Sequence, residues 1–188
     1  DDGIAVAYML AILEDNSIKH PLLECIFTVD EEIGLLGAKG LDMSNIKGKY
    51  LINLDSEEEG YIWAGCAGGM TINNTFEYEK VSGEGIKCDI IISGLAGGHS
   101  GSEIDKGHMN AVKSLARVIN DLYNFYDIKL VSLIGGNKDN AIPLYAKAEI
   151  LIDADKVDEV NDFINKYDSL LKSEAVEDDR NVSIVMET

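Results

Sequence analysis

Asn110 to Tyr126, NAVKSLARVINDLYNFY, decides the fold of the larger part of this 188-residue sequence. Its apolar residues recur along one face at helical spacing, so the stretch reads as an amphipathic helix. Working outward, Ile86 to Ser93 (IKCDIIIS) and Thr71 to Tyr78 before it read as strands, as do Lys129 to Ile134 and Ala146 to Ile152 after it. Lys156 to Leu171 repeats the helical period, with Val157, Val160, Phe163, Ile164, Tyr167 and Leu171 on one face, and Val182 to Met186 closes with a strand. Strands and helices in this order predict an α+β two-layer sandwich of the split βαβ kind. The acidic turn from Glu174 to Asp179 reads as a solvated loop.

A different pattern precedes the small-residue stretch AGCAGG at Ala64 to Gly69. Ile4 to Leu13 (IAVAYMLAIL) is apolar nearly all round, as in a buried helix, and Asp1 and Asp2 sit at its positive end. Leu22 to Val29 (LLECIFTV) and Tyr50 to Leu54 (YLINL) have the length and composition of strands, and each is followed at once by acids. Gly34 to Leu41 is a candidate short helix. This half therefore reads as part of a mostly parallel α/β domain, in which ligands collect beyond the carboxyl ends of strands. Glycine clusters punctuate structure, so the expected division is a first domain over residues 1–69 and a second over 70–188. The start on Asp1-Asp2-Gly3 reads as an internal piece of a longer chain.

Composition excludes several classes. A formal charge of −18 and a pI near 4.3 lack the clustered Lys and Arg that nucleic acid requires. No apolar run reaches the roughly 20 residues that span a bilayer, so neither nucleic acid nor membrane is an expected partner and the cytoplasm is the expected location. Cys25, Cys66 and Cys88 have no C-x-x-C spacing and read as buried small residues in a reducing compartment. His20, beside Pro21, reads as surface loop.

Three acidic groups carry the chemistry: Asp1-Asp2, Asp30-Glu31-Glu32, and Asp55-Ser56-Glu57-Glu58-Glu59. Any one alone would be read as a solvated face. Two follow apolar strands and one precedes an apolar helix, however, and a parallel fold would bring them to one sheet edge. Converging carboxylates repel each other, by about 1 kcal/mol per pair at 4 Å even in water, unless cations neutralise them. Carboxylates joined by His would suit zinc or manganese, with two ions about 3.5–4 Å apart sharing a bridging water of lowered pKa. Of two adjacent acids, one can then ligate while the other takes the water's proton.

The motifs Asp1-Asp2-Gly3, Phe27-Thr28-Val29-Asp30-Glu31-Glu32-Ile33-Gly34 and Asn53-Leu54-Asp55-Ser56-Glu57-Glu58 occur in that order. Gly65-Cys66-Ala67-Gly68-Gly69, Gly97-Gly98-His99-Ser100-Gly101 and Gly135-Gly136-Asn137-Lys138-Asp139-Asn140-Ala141-Ile142-Pro143 follow them. Together they resemble the co-catalytic zinc peptidase family that includes carboxypeptidase G, aminoacylase, peptidase T and the bacterial dipeptidases, and within it the aminoacyl-histidine dipeptidase branch. The resemblance weakens after about residue 153. It implies a zinc-exopeptidase-like catalytic domain followed by a lid. It also implies that Asp1 bridges two zinc ions and that its peptide bond to Asp2 is cis, that Glu32 and Asp55 are each a ligand of one of the two metals, and that Glu31 is the general base and acid. Cobalt or manganese could replace zinc. His99 would stabilise the oxyanion formed when water attacks the scissile carbonyl. Asn140 would bind substrate, or merely shape its turn.

The expected function is hydrolysis of dipeptides, Xaa-His or of broad specificity, by a water bridging two zinc ions, with a homodimer formed through the lid. Asp rather than Glu at position 55 favours peptides. The alternatives are an amidohydrolase of N-acyl amino acids on the same scaffold, and a non-catalytic metal- or peptide-binding homologue. Asp105, His108 and Leu144 depart from the family, which tends to have His at the first position and Arg at the other two. Arginine pairs a carboxylate in bidentate fashion, so these departures bear on recognition of the substrate's terminus. The family also uses a His-x-Asp segment before Asp1 and a distal His, so this chain alone is expected to be inactive.

Overall fold

Alternating burial organises the longer half of the chain. In β1 (Ile86–Ser93), Cys88, Ile90 and Ile92 are buried, and in β3 (Ala146–Ile152), Ala146, Ala148, Ile150 and Ile152 are. The antiparallel register sets Cys88 opposite Ile150, Ile90 opposite Ala148 and Ile92 opposite Ala146, so the inward residues share one face. β2 (Lys129–Gly135) and β4 (Ser183–Glu187) complete a four-stranded sheet of order β2-β3-β1-β4, in which every pairing is antiparallel. This computed structural model describes residues 2–56, 58–66 and 68–188. Two compact units divide the chain, Asp1–Gly68 and Gly69–Thr188.

In the second unit the helices α3 (Ala111–Phe125) and α4 (Val157–Glu174) both pack on the buried face, giving the β-α-β-β-α-β order of a split βαβ sandwich. α3 buries Leu115, Val118, Ile119 and Leu122 at three- and four-residue spacing, and α4 buries Val160, Ile164, Tyr167 and Leu171. Each fully buried aliphatic side chain contributes about 1.5–3 kcal/mol. The Asn110 side chain caps α3 by accepting from the Lys113 N–H at 3.0 Å. Between the helices, the Tyr167 hydroxyl donates to Asp121, while Arg117 pairs with Glu174 at 2.8 Å and lies 5.6 Å from the Tyr167 ring centre. Burial, then the Asp121 contact, pushes the Tyr167 phenol up to about 12. The opposite face of the sheet carries the ion pairs Lys87–Glu149 and Lys147–Asp89, at 2.6 and 2.7 Å.

The Glu174–Asp179 region corrects the solvated-loop reading. Asp179, in a 3₁₀ turn over Glu177–Asp179, is wholly buried, because two backbone N–H groups converge on its carboxylate. Thr71 to Tyr78 forms no strand, and Ile72, Phe76 and Tyr78 are exposed. Its apolar residues need a sheet edge beneath them, and none of the four strands pairs with it.

In the first unit, α1 (Gly3–Glu14) is capped by Asp2, whose carboxylate accepts from the Ala5 N–H at 3.3 Å. Of its residues only Ala5 is buried, so the expected buried helix is a helix with its apolar sides uncovered. The expected strands at 22–29 and 50–54 are extended but unladdered, with Leu22 and Tyr50 each 92% exposed. Runs apolar on both faces suit strands sandwiched within a parallel sheet, and such strands form only with neighbours to pair. No ladder forms among the described residues of this unit. The expected short helix appears as α2 (Leu36–Lys39). Cys88 is buried as expected, whereas Cys25 is half-buried and Cys66 exposed, in keeping with the uncovered state of the segments around them.

Candidate functional site

The described residues bring two of the expected site residues together, His99 and Asn140, on neighbouring loops of the second unit. The first loop leaves β1 at Gly94, whose positive φ of 78° lets the chain pass against Asn181, where an added Cβ would lie 2.1 Å from the carbonyl oxygen. Leu95 anchors it in the core. His99 then forms an antiparallel bridge with Ala141. The Ser100 N–H donates to the Asn140 carbonyl at 2.9 Å and the Ile142 N–H to the Gly98 carbonyl at 2.8 Å. Gly-Gly-His-Ser and Asn-Ala-Ile-Pro, read separately in the sequence, are thus one paired structure.

Local bonds fix the His99 ring. Its Nδ1 accepts from the Gly101 and Ser102 N–H groups, at 3.1 and 3.3 Å, which places the proton of the neutral ring on Nε2. The exposed ring therefore offers Nε2–H as a donor, the form that can hydrogen-bond a developing oxyanion. Glu103 steadies the turn: its carboxylate accepts from the His99 N–H at 2.8 Å and pairs with Lys106 at 2.7 Å. The Lys106 ammonium, and then the His99 N–H, hold the Glu103 carboxyl below the usual carboxylate range.

His108, where the resemblance implies an arginine, turns its side chain inward. Its side chain is only 6% exposed, and Nδ1–H donates to the Gly97 carbonyl at 2.5 Å. That bond leaves a neutral ring with a bare Nε2, 3.4 Å from the Asp178 carboxylate, a contact that becomes attractive on protonation. The Gly97 carbonyl, followed by Asp178 and Asp179 against the opposing effect of burial, pushes the imidazole above its ordinary value. Beside the loop runs an open groove of about 690 Å³, whose lining includes Ser100, His108, Asn110, Lys113, Lys138 and Pro143. Leu144 is exposed.

The first unit places its acids differently. Asp30 and Leu35 hold left-handed conformations, φ 59° and 60°, on either side of Glu31 and Glu32. Backbone bonds close this turn, with Gly34 and Leu35 N–H donating to the Glu31 carbonyl at 3.0 and 2.9 Å and Gly37 N–H to Val29 at 3.0 Å. Glu31, Glu32 and Asp55 are all exposed. Asp1, and with it the expected cis peptide, lies outside the described residues. Among the described residues, no three His, Cys, Asp or Glu side chains gather into a set able to hold a metal ion. The donor types suit a divalent ion, although the described residues do not gather into its cage.

Sequence reasoning missed Glu103, the inward role of His108, and Asp179. For Asp179 the available signal was its position between Val176 and the buried Val182, an acid inside an apolar frame rather than in an open charge run.

Comparison with known proteins fits this geometry. Residues 90–179, from the middle of β1 to the 3₁₀ turn before β4, match the peptidase dimerisation domain. This match lies wholly within the second unit. The chain is 40% identical over 190 aligned residues, all of its length, to cytosol non-specific dipeptidase of Escherichia coli, and it spans 39% of that relative. The crystal structure of aminoacylhistidine dipeptidase from Vibrio alginolyticus matches the whole chain with a TM-score of 0.73 at 35% identity, again over 39% of that protein. Sixty residues of the chain also align at 43% identity with the uncharacterised protein YqjE of Bacillus subtilis, covering 30% of this chain and 16% of that one. The resemblance to the aminoacyl-histidine dipeptidase branch therefore holds along the full chain. Among the described residues no helix is long and apolar enough to cross a membrane.

Proposed function

We propose that this chain serves a metal-dependent, cytosolic dipeptidase, with residues 1–69 contributing to a catalytic metal-binding domain and 70–188 forming its lid. The observation that carries the reading is the pairing of the His99 and Asn140 loops within a peptidase dimerisation domain, in a chain 40% identical along its length to a dipeptidase. Asp1, Glu32 and Asp55 are the proposed ligands of a zinc pair, which when bound would lower the pKa of water and polarise the scissile carbonyl. Glu31 takes the proton from the attacking water and returns it to the leaving amine. His99 donates from Nε2 to the oxyanion, and Asn140, held beside it, binds the substrate's polar groups. The strained turn bracketed by Asp30 and Leu35 supports a functional role for Glu31 and Glu32, since left-handed non-glycine residues cost about 1–3 kcal/mol each and collect at such sites. The lid provides the surface of a homodimer.

Hydrolysis of an Xaa-His dipeptide by the intact protein, set against N-acetyl and N-succinyl amino acids, tests the assignment. Preference for the dipeptide, abolished by Glu31→Gln with metal content retained, is expected. Preference for the acylated amino acids would transfer the chain to amidohydrolysis. Peptide binding with no cleavage would mark a non-catalytic homologue.

A further inference from the structure

Asp179 is wholly buried, and no step of the proposed hydrolysis uses it. Its two oxygens reach the two ends of the loop that carries His99. Oδ1 accepts from the Ala96 N–H at 2.8 Å and Oδ2 from the Met109 N–H at 2.5 Å. Close by, His108 Nδ1–H ties to the Gly97 carbonyl at 2.5 Å and Asp178 faces the other ring nitrogen. Within the loop, Glu103 holds the His99 N–H and the Gly101 and Ser102 amides hold the ring.

We propose that Asp179 is a positioning residue: by clamping residues 96 and 109 on one carboxylate, it closes the base of the loop and sets the reach of His99 Nε2. This rests on the reading of His99 as the oxyanion donor. A carboxylate accepting two backbone N–H groups makes strong, charge-assisted bonds, and a single rigid group fixes the separation of the two loop ends. Asparagine has the same size but presents one acceptor and one donor. In D179N a donor therefore faces an N–H, and one end of the loop is released. Misplacement of a catalytic donor by about 1 Å costs on the order of 100-fold in rate.

The test uses the intact protein and the variants H99A, D179N, the double variant and D168N. Asp168 accepts the Ile184 N–H at 3.1 Å on one oxygen, pairs with Lys172 at 2.6 Å through the other, and has no bond to the loop, so D168N controls for neutralising a carboxylate that bonds two partners elsewhere in the unit. H99A is expected to lower kcat about 100-fold or more. D179N should lower kcat by about tenfold or more at unchanged KM and metal content, move the His99 Nδ1 resonance in nitrogen NMR, and add nothing in the H99A background. D168N should lose melting temperature while keeping kcat. Positioning is overturned if D179N matches D168N in kcat while H99A is crippled, or if D179N and H99A losses multiply independently. Should H99A itself retain full activity, the reading of His99 fails, and the ring resonance alone decides: unmoved in D179N, it overturns the clamp. If D179N does not fold, an ester in place of the Ala96 amide (lactic acid at position 96) removes one clamped N–H with Asp179 intact and is read in the same way.

Discussion

Replacing Gly94 by alanine is expected to destabilise the second unit far more than the same change at Gly107, although both glycines have nearly the same backbone conformation, φ 78° and 74°. Both variants incur the left-handed penalty of an L-residue, about 1–2 kcal/mol. At Gly107 that is all, because the nearest atom to an added Cβ is the Val176 Cγ1 at 3.6 Å, an ordinary contact. At Gly94 the Cβ falls 2.1 Å from the Asn181 carbonyl oxygen and 2.9 Å from its carbon. Ordinary carbon–oxygen contacts lie at about 3.3–3.6 Å, so two backbone segments must part by more than about 1 Å. Such overpacking adds about 1–3 kcal/mol, giving about 2–5 kcal/mol for Gly94→Ala. The two segments are the exit of β1 and the entry of β4, which together hold the His99 loop and Asp179. Urea titration followed by circular dichroism at 222 nm measures both variants, and a domain near this size loses about 4 °C of Tm per kcal/mol. Equal losses for the two variants would refute the close approach as the reason for glycine at position 94.

Further outcomes follow from single residues. The His108 imidazole is raised above 6.5, chiefly by the Gly97 carbonyl, so its contribution to stability is full below about 6.5 and fades as pH rises through the higher folded value. His108→Gln should therefore flatten the fall in Tm between pH 6 and 8.5, and an unchanged slope would remove His108 from the account. Asn110→Ala should cost about 1 kcal/mol by uncapping α3, read as a Tm decrease that Asn110→Ser largely restores. Leu115→Ala, at a fully buried position, should cost about 2–5 kcal/mol in the same urea assay. A loss below about 1 kcal/mol would mean the core does not close over α3 as described.

The second unit was legible because its signals are local and periodic. The helix over 110–126 and the strands over 86–93 and 146–152 announce their inward faces in the sequence, and the sheet buries those faces against both helices. The first unit was legible in its motifs and not in its structure. Runs such as YLINL specify a buried parallel strand only when neighbouring strands supply ladder partners, and without them the same residues stay extended and exposed. In the site, His99 and Asn140 were each marked by glycine-bounded motifs, but their pairing spans about forty residues and has no local signature. Asp179 was obscured by its acidic neighbours, since a carboxylate that accepts two N–H groups looks, in sequence, like any other member of a charge run.

The most direct test of the account is the rate at which the intact protein cleaves an Xaa-His dipeptide before chelation, after it, and after zinc is restored. The account predicts cleavage that disappears with the metal, returns with zinc, and is reduced about 100-fold or more in His99→Ala at full zinc occupancy. Cleavage indifferent to chelation, or a His99→Ala protein as fast as the wild type, would contradict it.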